Sequence, residues 1–359
     1  MLRIGLLTSG GDCQALNATM RAIVKTVMNK SKEPVKVYGF EDGYQGLIYG
    51  RYRTMTWADF SGILTQGGTI LGTSRTPFKR LDIPEADGVD KVAAMKKNYA
   101  KLQLDCLFML GGNGSTKTAN RLAQEGLNVI ALPKTIDNDT YGTDLTFGFT
   151  SAIDVATKYL DEIKTTASSH GRVFVVEIMG HKVGWIPLYA GVAGGADVIL
   201  IPEIPYEMDN VVKAIEKREK DGGRFAIVAV AEGAISKDEA ALPKKEYKAR
   251  VAARTSPSVA YDIADQIAAA TGREVRVGIP GHTQRGGIPD AQDRIFATQC
   301  GVEAAIACLK GTFGVMVAQV GGAMTLVPLE EVAGKLKYVD TSSDLVREAR
   351  QLGISFGDK

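Results

Sequence analysis

Several things this chain lacks narrow what it can be. No uncharged apolar run reaches the ~18 residues that a membrane-crossing helix needs. Charge of one sign is not in excess: 43 Lys and Arg stand against 41 Asp and Glu, a net charge of +2. The basic residues are spread along the chain rather than blocked, which argues against nucleic acid as a main partner. Only four cysteines occur, Cys13, Cys106, Cys300 and Cys308, with no CxxC pair, which reads as reduced thiols in a cytosolic protein. Met1-Leu2-Arg3-Ile4-Gly5 enters a strand at once, so no signal peptide and a cytoplasmic location are expected. There is no internal repeat and no low-complexity linker. No G-x-G-x-x-G opens a helix with an acidic residue ~20 positions on, which sets aside a dinucleotide-binding dehydrogenase.

What is present is apolar material in short runs. With 359 residues and 45% hydrophobic content the chain can bury an ample core, and its length suggests about two domains. Strands are predicted at Leu2–Leu7, Val35–Phe40, Cys106–Leu110, Val129–Leu132, Val173–Glu177, Val198–Ile201, Ala226–Val230 and Val275–Ile279. Helices are predicted at Asn17–Met28, after Ser115, and at Thr150–Ile163, Val211–Arg218, Val259–Ala270 and Asp290–Lys310. Ser236–Tyr247 reads as charged surface, and Val339–Lys359 as a polar tail with a helix. The alternation gives an α/β fold with mostly parallel sheets, helices on both faces, and ligands at the carboxyl ends of the strands.

Three strands run straight into polar turns. Ile4–Leu7 leads into Thr8-Ser9-Gly10-Gly11-Asp12, Cys106–Leu110 into Gly111-Gly112-Asn113-Gly114-Ser115, and Val129–Leu132 into Pro133-Lys134-Thr135-Ile136-Asp137-Asn138-Asp139. Glycine lets backbone amides approach an anion closely. The third turn adds a lysine and two carboxylates. Phosphate cradles with a carboxylate pair supply what phosphoryl transfer needs: positioning, metal binding and a base.

Taken in order, these turns resemble the 6-phosphofructokinase family over nearly the whole chain. Further matching stretches are Gly68–Arg75, Val176–Gly180, Ala193–Asp197 and Gly281-His282-Thr283-Gln284-Arg285-Gly286-Gly287. The resemblance implies two doubly wound, mostly parallel-sheet domains with the active site in the cleft between them. A phosphoryl-donor domain is expected at 1–146 plus 284–334, and a sugar-phosphate domain at 147–283 plus 335–359. It implies a homo-oligomer, a tetramer before a dimer, with substrate sites shared across an interface.

The resemblance also assigns roles. Asp137 would be the general base for the sugar C1 hydroxyl, with Thr135 orienting that hydroxyl. Taken without the family, Asp137 reads more readily as a loop aspartate capping the next helix. Gly11, by its amide, and Arg75, by its charge, would contact the transferring phosphoryl group. Mg²⁺ would sit on Asp139, with Asn113 at a second metal position. ATP would lie along Gly112, Asn113, Gly114 and Ser115, with Lys134 near its phosphates and Tyr44 against the adenine. Arg172, Arg276, His282 and Arg285 would clamp the 6-phosphate of fructose 6-phosphate, Arg172 and Arg276 coming from a neighbouring subunit. Glu232, Met179 and Gly180 would line the sugar, followed by His181. Arg21, Lys25, Lys164 and Asp197 fall near the family's effector positions.

Some positions depart from the bacterial pattern. Ala15 replaces a glycine, Asn113 an aspartate, and His181 an arginine. Gly114 leaves room for the α-phosphate of ATP, whereas a lysine at 134 is typical of pyrophosphate users. The leading expectation is an ATP-dependent 6-phosphofructokinase. The alternatives are a pyrophosphate-dependent enzyme, a kinase of another ketose phosphate such as sedoheptulose 7-phosphate, and a non-catalytic sugar-phosphate-binding subunit.

Overall fold

The apolar runs become strands buried on both faces, as parallel strands covered by helices must be. The computed structural model describes Met1–Lys359 and divides into two units: Met1–Ser151 with Arg285–Lys337, and Ala152–Gln284 with Tyr338–Lys359.

The first unit carries seven strands: β1 (Leu2–Ser9), β2 (Val35–Phe40), β3 (Tyr52–Met55), β4 (Cys106–Gly111), β5 (Val129–Pro133), β10 (Val315–Val320) and β11 (Ala323–Pro328). Their order in the sheet is β11-β10-β5-β4-β1-β2-β3. The five inner strands run parallel, and β3 and β11 are antiparallel edges. The sequence reading did not anticipate β3, β10 or β11. β3 is exposed at three of its four positions and β11 is only half-buried, so neither carries the apolar run of a central strand.

Helix Leu16–Lys30 lies against helix Ala291–Leu309. A Cβ at Gly301 would stand 2.6 Å from the Ala22 Cβ and from the Thr19 carbonyl oxygen, so glycine is what permits this close crossing. Leu7, Phe40, Leu107, Met109, Val129 and Met316 form one face of the core.

The second unit holds a four-stranded parallel sheet, β7-β8-β6-β9, from β6 (Val173–Ile178), β7 (Val198–Leu200), β8 (Ala226–Ala231) and β9 (Val275–Gly278). Helices Met208–Lys220 and Val259–Thr271 cover one face through Val211, Ile215, Ile263 and Ile267. Ser236–Tyr247 is not a plain surface loop. It contains helix Lys237–Ala240, capped by a Ser236–Glu239 capping box, and the start of Lys244–Ala252. Glu239 is buried because the Arg254 guanidinium, 2.6 Å away, compensates its charge. The tail forms helix Asp344–Gln351 and bridges β7 through Ser355.

Candidate active site

Sheet order explains why three turns far apart in sequence can act together. β5, β4 and β1 are neighbours, and the register pairs Ser9 with Gly111 and Gly111 with Pro133. The three turns therefore leave the same edge of the sheet side by side, at the carboxyl ends of the strands.

The first turn is held by its carbonyls. Gly10 has φ +86, a left-handed conformation that glycine adopts without strain. Its amide donates to the Ser74 carbonyl at 3.0 Å, and its own carbonyl accepts from Thr73 Oγ1 at 2.7 Å. The Gly11 carbonyl accepts from Lys134 Nζ, and the Asp12 carbonyl from Arg285 Nη1 at 3.0 Å. In a trans peptide C=O and N–H point in opposite directions. Anchoring the carbonyls of Gly10 and Gly11 therefore aims the amides of Gly11 and Asp12 away from the anchors. Neither amide has an acceptor within the protein.

The second turn is the start of a helix. Helix Asn113–Gln124 begins at Asn113, earlier than the sequence suggested, with Gly112 as its N-cap. No side chain caps it and no acidic residue lies in its first turn. Unsatisfied amides and the helix dipole make such an end favourable for a phosphate. Gly114 is exposed, and a Cβ there would meet nothing within 4 Å. Ser115 Oγ donates to Ser9 Oγ at 2.9 Å, which links the first two turns.

The third turn supplies buried carboxylates. Asp137 and Asp139 are 8% and 7% exposed. Thr135 Oγ1 accepts the Asp137 amide at 3.1 Å, and the Thr135 carbonyl accepts from Thr146 Oγ1 at 2.7 Å. Asn138 has φ +52, the strained step that separates the two aspartates. Lys337, which the sequence reading missed, braces this loop. Its amide donates to the Asp139 carbonyl at 2.9 Å, and its ammonium to the carbonyls of Thr143 and Asp144 at 2.8 Å each. Burial pushes the Lys337 ammonium down to about 8, against the pull of Asp144 and Asp139.

Asp293 was also missed. Its carboxylate accepts the Gly148 amide at 2.8 Å and Ser151 Oγ at 2.5 Å, fixing the chain where it leaves the third turn. Burial raises it to about 6.

Tyr44, Lys134 and Arg285 each bond a backbone carbonyl of the first two turns. Tyr44 is wholly buried in the core and its hydroxyl donates to the Ser115 carbonyl at 2.9 Å, so its ring offers no face to an adenine. Lys134 is 3% exposed, and its ammonium donates to the Gly11 carbonyl. Arg285 reaches the first turn: its Nη1 donates to the Asp12 carbonyl, and a Cβ at Gly11 would stand 2.8 Å from that nitrogen. Arg75 is exposed, directly after the Thr73-Ser74 segment that holds Gly10. Asn113 Nδ2 donates to the Lys335 carbonyl at 2.6 Å, while its Oδ1 is buried without a partner.

In the second unit the carboxyl ends of β6 and β8 bring Met179, Gly180, His181 and Glu232 together. One carboxylate oxygen of Glu232 accepts the amides of Gly180 at 3.3 Å and His181 at 2.5 Å. Gln284, wholly buried, accepts the Met179 amide at 3.2 Å and ties in the loop that carries His282. His181 and His282 are exposed, and His181 adopts φ +53. Arg172 and Arg276 are not part of this group. They stand at the amino ends of β6 and β9, both paired with Glu274, Arg172 Nε at 2.8 Å. These two arginines hold the Glu274 carboxyl below its usual range. The six residues of β6 put roughly 20 Å between Arg172 and Met179. Of the residues near effector positions, Lys25 lies 4.3 Å over the Trp57 ring and Asp197 pairs with Arg218 at 3.0 Å.

The family model for phosphofructokinase matches residues 3–308. The chain belongs to the phosphofructokinase family. A relative named ATP-dependent 6-phosphofructokinase from Spirochaeta thermophila is 51% identical, over 99% of this chain and 97% of its own length. One named ATP-dependent 6-phosphofructokinase 3 from Bacteroides thetaiotaomicron is 45% identical, over 99% of this chain and all of its own. The phosphofructokinase of Pichia pastoris superposes with a TM-score of 0.78 at 34% identity, over 93% of this chain and 38% of that one. A pyrophosphate-dependent phosphofructokinase from Nitrosospira multiformis reaches 0.81 at 21% identity, covering 98% of this chain and 92% of that one, a likeness of fold alone.

Proposed function

We propose that this chain transfers the γ-phosphoryl group of ATP to the C1 hydroxyl of fructose 6-phosphate, giving fructose 1,6-bisphosphate and ADP in cytoplasmic glycolysis. The observation that carries this reading is the level edge of β1, β4 and β5, where two outward amides, an uncapped helix end and two buried carboxylates adjoin. In this reading the first unit binds the donor and the second the sugar phosphate.

Asp137 takes the C1 proton as that oxygen attacks the γ-phosphorus, and the bond to the ADP oxygen breaks. The amides of Gly11 and Asp12, with Arg75 and Arg285 beside them, stabilise charge on the transferring group. The open space at Gly114 accommodates the α-phosphate, which favours ATP over pyrophosphate. Glu232 shapes the Met179–His181 turn against the sugar, and His282 meets the 6-phosphate. Arg172, roughly 20 Å from Met179 along β6, and Arg276, opposite Phe174 on β9, serve the site of a second copy, so the active form is a homo-oligomer, read as a tetramer.

The chemistry implies Mg²⁺. No three His, Cys, Asp or Glu side chains converge as a protein cage. Mg²⁺ however takes one or two protein oxygens and completes its octahedron with phosphate and water. The orphaned Asn113 Oδ1 and the Asp139 carboxylate suit that pattern, since Asn113 bonds Lys335 and Asp139 bonds Lys337 of one short segment. Asp139 and Asn113 would hold the ion, which when bound neutralises phosphate charge.

The test is a coupled assay of purified protein with Mg²⁺ and fructose 6-phosphate, comparing ATP with pyrophosphate. ATP is expected to be preferred by at least about tenfold in kcat/KM, roughly 1.4 kcal/mol. Efficient turnover with pyrophosphate and poor turnover with ATP would overturn the donor, and no turnover with either would overturn the reaction.

A further inference from the structure

Lys134 is a cation in an unusual place. It is only 3% exposed. Its ammonium donates to the Gly11 carbonyl. A Cβ at Gly10 would stand 3.7 Å from Lys134 Nζ and 3.7 Å from Ser115 Oγ, so the ammonium lies close to the first turn where Ser115 of the second meets it. The Lys134 amide donates to the Gly111 carbonyl at 3.1 Å, which ties its own backbone to the second turn. Burial, with Arg285 adding to it, pulls the Lys134 ammonium below its ordinary range, and Cys13, Asp137 and Asp12 oppose that pull.

We propose that Lys134 is a positioning residue that acts through the first turn, and that it does not itself grip the phosphoryl donor. The peptide joining Gly11 to Asp12 is trans. With its oxygen held from below by Lys134, its N–H is directed to the opposite side. Thr73 does the same for the preceding peptide, holding the Gly10 oxygen and so aiming the Gly11 N–H. Lys134 and Thr73 are thus two struts under consecutive peptides of one turn, and the two amides they aim lack any acceptor in the protein. A buried ammonium serves better than a neutral donor because a charged hydrogen bond is about twice as strong. The side chain starts one residue past β5 and its ammonium reaches the carbonyl of Gly11 in the turn after β1. The inference rests on the phosphoryl-transfer reading for its kinetic consequence, and on geometry alone for its structural one.

The experiment is a double-mutant cycle of Lys134→Met and Thr73→Val in the full-length protein. Methionine keeps the length of the side chain and removes the ammonium. Each single variant is expected to lower kcat with ATP by at least about 30-fold, the scale of losing an aimed oxyanion donor, while KM for ATP stays within about threefold. The double variant is expected to be little worse than either single one, since both act on the same turn. In parallel, exchange of the Gly10 amide, which bonds the Ser74 carbonyl, is measured in ligand-free protein. Lys134→Met is expected to speed it by about tenfold or more as the turn loosens. A large rise in KM for ATP with additive effects in the cycle would mean that Lys134 grips the donor directly, and would overturn the proposal. Unchanged Gly10 exchange in Lys134→Met would overturn it as well, whether or not the wild type proves to be a kinase. A wild type that is inactive while Gly10 exchange accelerates would overturn the reaction and leave the strut supported.

Discussion

Gly114→Asp should push fold stability and ATP use in opposite directions. The position is the second residue of helix Asn113–Gln124, exposed, and a Cβ there meets nothing within 4 Å. The folded protein therefore accepts the side chain without a clash. A carboxylate in the first turn of a helix that has no acidic residue there adds about 0.3–1 kcal/mol through the dipole. For a chain of this size that raises Tm by roughly 1–3 °C. In the proposed function the same carboxylate would face the polyphosphate of ATP. At an effective dielectric of about 20 and a separation of ~5 Å, each unit of phosphate charge costs about 3 kcal/mol, roughly two orders of magnitude in binding. Gly114→Ala is the control, with kcat/KM for ATP within about threefold of wild type because the methyl enters open space and adds no charge. Differential scanning calorimetry beside steady-state kinetics on the three proteins decides the matter. A lower Tm in Gly114→Asp would show that the position is crowded. An unchanged Tm or a higher one with undiminished ATP use would show that the donor does not lie along this helix end, and the account of the second turn would fall.

Asp137→Ser is expected to lower turnover by roughly 10²–10⁴-fold with sugar-phosphate affinity little changed, as removal of a base should; near-normal turnover in a rapid-quench assay would reject the assignment. Arg172→Ala should raise KM for fructose 6-phosphate by about tenfold or more, the scale of one charge-assisted hydrogen bond, and sedimentation should find the active enzyme oligomeric; an active monomer would refute the shared clamp. Asp293, raised to about 6 by burial from an ordinary value of 3.8, binds its proton more tightly folded than unfolded. Stability should therefore fall as pH rises from about 4 to 6, by up to about 3 kcal/mol from this group. Asp293→Asn should flatten that slope in urea titrations, and an unaltered slope would show that the carboxylate is ionised in the fold throughout.

How much was legible in the sequence depended on where each role is encoded. The turns after β1, β4 and β5 could be read because each is contiguous and follows its own apolar run. Asp137 and Asp139 could be read for the same reason. The carbonyls that Tyr44, Lys134 and Arg285 bond could not, because they depend on where a long side chain points after the sheet has ordered its strands. Lys134 follows β5 directly, yet the carbonyl its ammonium holds is that of Gly11, 123 residues away in the turn after β1. Arg285 is 273 residues from its partner carbonyl at Asp12. Lys337 gives no local signal at all, since it lies in an irregular segment and acts on Asp139, Thr143 and Asp144. Asp293 carries half a signal: Asp290 three residues earlier marks a helix start, and its side chain does accept the Asp293 amide at 2.7 Å. The burial of Asp293 against Gly148 and Ser151 is tertiary. Glu239 was misread as surface because its charge suggested water, whereas Arg254 compensates it inside.

The central claim is that the C1 hydroxyl of fructose 6-phosphate receives the γ-phosphoryl group of ATP. Phosphorus NMR of the complete reaction, with the new resonance correlated to sugar protons, tests it most directly. The account predicts a second phosphomonoester coupled to the C1 protons, formed in step with ADP and missing with Asp137→Ser. ADP released with inorganic phosphate and no sugar bisphosphate, or a new phosphate on any other carbon, would contradict it.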